Sequence, residues 1–185
     1  MALTESTMLE LGTPAPDFSL LDVVSGKVVH RDNFREKKGL LVLFISAHCP
    51  YVKHIEHSLG ELGREYEEES LGIVAICSND VASFPDDDPE ELKKQAEANG
   101  FHFPYLFDER QTVARAYKAA CTPDIYLFDG DFELVYRGQY DSSRPGNKIP
   151  VTGEDLRMAI NMLLAGQQIP TEQFPSIGCN IKWKK

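Results

Sequence analysis

Two aliphatic runs separated by one amphipathic segment constrain this chain more than any other feature. Leu40-Leu41-Val42-Leu43-Phe44-Ile45 and Ile73-Val74-Ala75-Ile76 are short and almost wholly apolar. Runs of this kind read as strands buried on both faces, as in a parallel sheet covered by helices. Between them Val52, Ile55, Leu59, Leu62 and Tyr66 recur at spacings of three and four, one apolar stripe on a helix that starts near Pro50. Strand, helix and strand in that order predict an α/β fold.

The flanking segments extend this unit. Pro14 and Pro16 lead into Phe18-Ser19-Leu20-Leu21, a Ser25-Gly26 turn and Lys27-Val28-Val29, which predict a hairpin. Beyond Cys77, the stretch Phe84-Pro85-Asp86-Asp87-Asp88-Pro89 reads as a solvated connecting loop, because consecutive carboxylates without a fixed scaffold seldom converge on a metal. A helix over 90–99 stops at Gly100, a typical position for a left-handed cap. Tyr105-Leu106-Phe107 is extended, and a further helix covers 113–119. Ile125-Tyr126-Leu127-Phe128, Asp129-Gly130 and Glu133-Leu134-Val135-Tyr136 form a second hairpin. Thr152, with Asp155 three residues on, opens the last helix as a capping box. Leu156, Ala159, Ile160, Leu163 and Leu164 line its core face, and Gly166 closes it. Residues 167–185 are a tail carrying Cys179 and Trp183, packed on or near a single domain spanning 1–185. The expected architecture is a central mixed sheet flanked by helices, with an N-terminal hairpin extension and a C-terminal tail.

The chain has 185 residues, enough for a full core without disulfide staples. A net charge of −10 argues against nucleic-acid or anionic-membrane partners, which require basic patches. No apolar stretch approaches the ~20 residues of a membrane span. Met1-Ala2-Leu3-Thr4-Glu5-Ser6 lacks the basic and apolar segments of a secretion signal, so a cytoplasmic location is expected. There the four cysteines stay mostly reduced, and their even number does not imply a disulfide framework. No pattern calls for a cofactor or a resident metal. Monomer and homodimer are both open.

Cys49 is the candidate nucleophile. It follows the first buried strand and directly precedes Pro50, a residue favoured at the first helical position because its missing N–H has no partner there anyway. A thiol at a helix N-terminus faces unpaired N–H groups and the positive end of the helix dipole. That setting can lower a cysteine pKa from ~8.5 into the range ~3.5–7.5. The alternative is a buried, inert thiol.

Several stretches resemble a known family. Gly12-Thr13-Pro14-Ala15-Pro16-Asp17-Phe18-Ser19-Leu20 is similar to the opening of the alkyl hydroperoxide reductase/thiol-specific antioxidant family. His48-Cys49-Pro50-Tyr51-Val52-Lys53-His54-Ile55, Ser78-Asn79-Asp80, Thr122-Pro123-Asp124-Ile125-Tyr126 and Ile177-Gly178-Cys179-Asn180-Ile181-Lys182-Trp183 resemble its peroxiredoxin-like subgroup, over nearly the whole chain. The resemblance implies a thioredoxin-like fold and thiol-dependent oxidoreductase activity, with a disulfide or peroxide substrate and a thiol reductant. It also implies that Thr122-Pro123 is the cis-proline loop that thioredoxins set beside their active cysteine. Two departures stand out. Ser46, three before Cys49, replaces the first cysteine of a thioredoxin dithiol. Peroxiredoxins place a proline seven before the cysteine, where this chain has Val42, and their peroxide-holding arginine aligns with Pro123. The resemblance therefore implies thiol exchange more directly than peroxide reduction.

Adjacent parallel strands end at one sheet edge, where open α/β sheets bind ligands. Cys49, Cys77 and Cys121 are expected near that edge, with Cys121, Cys77 or Cys179 as the thiol that resolves Cys49. For each of the three, the alternative is a small buried hydrophobe. Ser46 is placed to donate to the Cys49 thiolate or a bound peroxide, or else to bond local backbone. His48 adjoins the nucleophile but is expected to be exposed. His54 and His57 fall opposite the apolar stripe and read as solvated. Arg137 and Arg144 read as surface arginines, or as a replacement for the charge missing at Pro123. Two further functions stay open: a one-cysteine-type peroxidase, and a non-catalytic thioredoxin-fold binding module.

Overall fold

The computed structural model describes residues 3–185, so Met1 and Ala2 of the N-terminal stretch read above lie outside the described residues. In chain order the elements are β1 (Leu3–Glu5), β2 (Ser19–Asp22), β3 (Val28–His30), β4 (Gly39–Phe44), α1 (Pro50–Glu65), β5 (Leu71–Cys77), α2 (Pro89–Asn99) and β6 (Tyr105–Phe107). They continue with α3 (Thr112–Ala116), β7 (Cys121–Thr122), β8 (Asp124–Asp129), β9 (Leu134–Arg137), α4 (Glu154–Leu164) and β10 (Ile177–Asn180).

Seven strands form one sheet in the order β3-β2-β6-β5-β4-β8-β9. The two aliphatic runs are its centre: β4 and β5 are parallel, with Leu41 opposite Ile73 and Phe44 opposite Ile76. Every residue of both strands is buried, because helices cover both faces. On one face Leu41, Leu43 and Ile45 pack with the α1 stripe Val52, Ile55, Leu59 and Leu62 and with Leu156, Ala159 and Ile160 of α4. On the other, Leu40, Val42 and Phe44 pack with Val113 and Ala114 of α3 and with Phe18 of the lead-in. Phe44, Tyr117, Tyr126 and Phe128 add one tilted and three edge-to-face ring contacts there, at centroid separations of 5.5–5.9 Å.

Both expected hairpins form, β2 with β3 and β8 with β9. Gly100 takes the left-handed cap of α2, at φ +61°. Elsewhere the chain departs from its local signals. The helix expected over 113–119 ends at Ala116. The capping box of α4 does not form: Gly153 is the N-cap at φ +63°. Thr152 and Gly153 instead donate their N–H groups to Asp141 Oδ2 at 2.7 and 2.6 Å, while Asp155 accepts from Gln139 Nε2. Asp141 thus fixes the two residues that lead into the helix, while the Thr152 hydroxyl accepts the Glu154 N–H at 3.3 Å.

The largest addition is a second sheet, β1-β10-β7, all antiparallel. It turns the expected C-terminal tail into a strand held between the N-terminus and the segment preceding the cis proline.

Candidate active site

Pro50 opens α1 and makes Cys49 its N-cap, with the Cys49 carbonyl accepting the Lys53 N–H at 2.9 Å. The side chain does not cap the helix. Cys49 Sγ donates instead to the Thr122 carbonyl at 3.1 Å, and the Thr122–Pro123 bond that follows is cis, as the resemblance implied. Cys49 is fully buried.

The tail supplies the cover. β10 sets Cys179 opposite Thr122 and Asn180 opposite Cys121. This approach needs glycine at 178, where a Cβ would lie 2.0 Å from the Thr122 carbonyl oxygen. Cys179 thus stands across from the residue whose carbonyl accepts the Cys49 thiol. Burial first, then the neighbouring Cys49 and its charge, pushes the Cys179 thiol up to about 12, with Lys182 and the first turn of α1 pulling the other way.

The other cysteines are oriented differently. Cys121 is buried beside the pair, its Sγ turned to the Pro123 carbonyl at 3.4 Å; burial, then the charges of Asp124, Cys49 and Cys179, push its thiol far up. Cys77 closes β5 in the same buried cluster as Cys49 and Cys179, where burial, with further contributions from Asp87 and Asp108, pushes its thiol up. Ser46 Oγ is buried and has no hydrogen-bond partner among the described residues, so the expected bond to Cys49 does not form.

The acidic stretch corrects a sequence expectation. Phe84 stacks on the His48 ring, with centroids 5.5 Å apart, and the turn Pro85–Asp87 sends Asp87 inward instead of leaving it solvated. Fully buried, Asp87 accepts the Ala47 and His48 N–H groups on Oδ1 at 2.8 and 3.0 Å. Its Oδ2 takes the His48 ring Nδ1 and the Asn79 amide. Burial alone would raise this carboxyl, but the bonds from His48 and Asn79 outweigh it and hold Asp87 below its ordinary range. His48, expected in solvent, is half-buried on that carboxylate. Asn79 belongs to a stretch already singled out, at the C-terminal end of a parallel strand where such sheets gather ligands. Asp87, flanked by two like residues, carries no distinguishing sequence signal.

His54 is also half-buried; its Nε2 lacks a partner among the described residues and its side chain lines a small cavity with Pro123, Tyr140 and Arg144. His57 stays exposed, 3.6 Å from Glu61. No group of three or more His, Cys, Asp or Glu side chains able to hold a metal occurs among the described residues. Arg137 and Arg144 are structural rather than free surface groups. Arg137 bonds the Leu9 carbonyl and Gln173, and Arg144 bonds the Asp141 and Ser143 carbonyls and Gln139.

The sequence profile described as the AhpC/TSA family matches residues 11–137. A protein named thiol-disulfide oxidoreductase ResA from Geobacillus kaustophilus is 27% identical over 131 residues, covering 71% of this chain and 70% of its own length. An uncharacterized conserved protein of known structure from the same organism is 51% identical, covers 100% of this chain and 97% of its own, and superposes with a TM-score of 0.97. A hypothetical protein from Sinorhizobium meliloti is 46% identical, with a TM-score of 0.95 and 98% of each chain covered.

Proposed function

Because this chain belongs to the AhpC/TSA family, we propose that it is a thiol-disulfide oxidoreductase whose redox pair is Cys49 and Cys179. One observation carries the proposal: the Thr122 carbonyl that accepts the Cys49 thiol lies opposite Cys179 in the β7–β10 pairing, which brings both cysteines to one residue of the cis-proline loop. The name of the ResA relative supports the same class of reaction.

The Cys49 thiolate attacks one sulfur of a substrate disulfide. The substrate S–S bond breaks and its other sulfur leaves as a thiolate, which takes up a proton. Cys179 then gives up its proton and attacks Cys49 Sγ, and the bond between Cys49 and the substrate breaks. Two substrate thiols and one Cys49–Cys179 disulfide result, and an external thiol reductant restores the pair. Exchange with a disulfide fits this site better than peroxide reduction, since Arg137 and Arg144 are engaged elsewhere and Pro123 stands where the family's arginine aligns. A cytoplasmic setting belongs to the proposal, since thiol reductants are held there. Cell fractionation checks it.

The direct test is oxidation with one equivalent of diamide, alkylation and peptide mass mapping. A Cys49–Cys179 bridge is expected as the dominant disulfide, and Cys49→Ser is expected to lose disulfide-reductase turnover. A bridge from Cys49 to Cys77 or Cys121, or no bridge at all, overturns the pairing.

A further inference from the structure

Cys49 and Cys179 lie on segments distant in the chain, and one buried run of hydrogen bonds connects those segments. Asp87 Oδ1 accepts the N–H groups of Ala47 and His48, the two residues before Cys49. Its Oδ2 accepts Asn79 Nδ2 at 2.7 Å. Asn79 Oδ1 in turn accepts the Lys182 N–H at 2.8 Å, three residues past Cys179. Asp80 N–H completes the hold on the tail by donating to the Lys182 carbonyl at 2.8 Å. Asp87 and Asn79 are both nearly or fully buried, so water does not compete for these bonds. The Asn79 amide has one productive orientation, because rotating it would set its oxygen against a carboxylate and its NH2 against a backbone N–H.

We propose that Asp87 and Asn79 are positioning residues for the redox pair, a buried latch that holds the Cys49 loop and the Cys179 strand in sulfur-to-sulfur register. The latch acts on the pairing proposed above and presupposes it. Neither residue touches a reacting sulfur in any bond described here. Their effect is on the effective concentration of one thiol at the other, and so on the equilibrium between dithiol and disulfide.

The test is that equilibrium against a glutathione redox buffer, read by alkylation and mass for wild type, Asp87→Asn, Asn79→Asp and the double exchange Asp87→Asn/Asn79→Asp. In Asp87→Asn an NH2 group faces the Asn79 NH2, and in Asn79→Asp two carboxylates face each other. The double exchange restores a carboxylate–amide pair while keeping an oxygen for the Ala47 and His48 amides and another for Lys182 N–H. Each folded single variant is expected to weaken disulfide formation by about tenfold or more, about 30 mV for this two-electron couple, and the exchange to return within about threefold of wild type. Loss of stability shared equally by the oxidised and reduced forms leaves this equilibrium unmoved, which separates positioning from general support of the fold.

Folded single variants within about threefold of wild type overturn the latch. If the single variants do not fold, the exchange decides alone. A folded exchange with the wild-type equilibrium supports the latch, and one that is unfolded or displaced by about tenfold overturns it. Wild-type protein that forms no Cys49–Cys179 bridge overturns the functional proposal itself, a different result from any of these.

Discussion

Asp124 follows the cis proline and is fully buried, with Oδ2 accepting the Ala120 N–H at 2.9 Å and the Tyr126 hydroxyl at 3.1 Å while Oδ1 has no partner among the described residues. Burial outweighs these bonds and pushes its carboxyl up to about 7. The folded protein therefore holds a proton here that the unfolded chain releases near pH 4. A carboxyl raised in this way contributes stability that is fully present below the unfolded pKa and lost as pH climbs through about 7. Between pH 5 and pH 8 the wild type is expected to lose roughly 2–3 kcal/mol of unfolding free energy relative to Asp124→Asn. Urea titrations of both proteins at the two pH values check this; parallel curves would show that Asp124 titrates near its ordinary value. At this scale the sequence was informative about Cys49, which stands at the helix start as expected, wrong about Asp87, read as part of a solvated loop, and gave Asp124 only as a member of a resembling stretch. A carboxyl's role depends on what surrounds it: Asp87 meets Ala47 and His48 from far along the chain, and Asp124, though bonded to nearby Ala120 and Tyr126, owes its burial to the assembled sheet.

β10 is the element that seals the site. It joins β7 and β1 edge to edge, and its tie to β7 depends on Gly178 lying against the Thr122 carbonyl. Cys49 is fully buried and β10 lies along the segment whose carbonyl holds its thiol, so parting of β10 from β7 is expected to expose it. Gly178→Ala forces that contact apart and is expected to speed alkylation of Cys49 by iodoacetamide at neutral pH by about tenfold or more, as an opening penalty falls by ~1.4 kcal/mol. An unchanged rate in folded variant protein would mean that β10 does not control access. The element was hidden in the sequence for a physical reason. Ile177-Gly178-Cys179-Asn180 is short, contains a glycine and lacks alternation, so it has little strand character of its own and gains it from two partners. The α1 stripe and the β4 and β5 runs were legible because their periodicity states their burial. The cap of α4 was misread because Thr152 and Asp155 match a local motif, whereas Asp141 fixes Thr152 and Gly153 ahead of the helix and Asp155 turns to Gln139.

For the whole molecule, a Cys49–Cys179 disulfide would close a loop longer than about 100 residues, tying the start of α1 to the strand on which the chain ends. Cross-links over loops of this length stabilise by up to ~4–5 kcal/mol, chiefly by restricting the unfolded chain. Oxidised protein is expected to unfold at a higher urea concentration than the dithiol form, by roughly 2–5 kcal/mol. Equal midpoints for samples verified as bridged and reduced would show that the bridge strains the native site by as much as it restrains the unfolded chain. The sequence by itself determined the α/β layering, the parallel centre and the position of Cys49, because hydrophobic periodicity and proline placement are local properties that survive in one dimension. Only the tertiary structure set Cys179 across from Thr122, buried Asp87 against Asn79, and made the tail a strand. Those outcomes depend on distances between residues separated along the chain, and such distances are set when the sheet assembles.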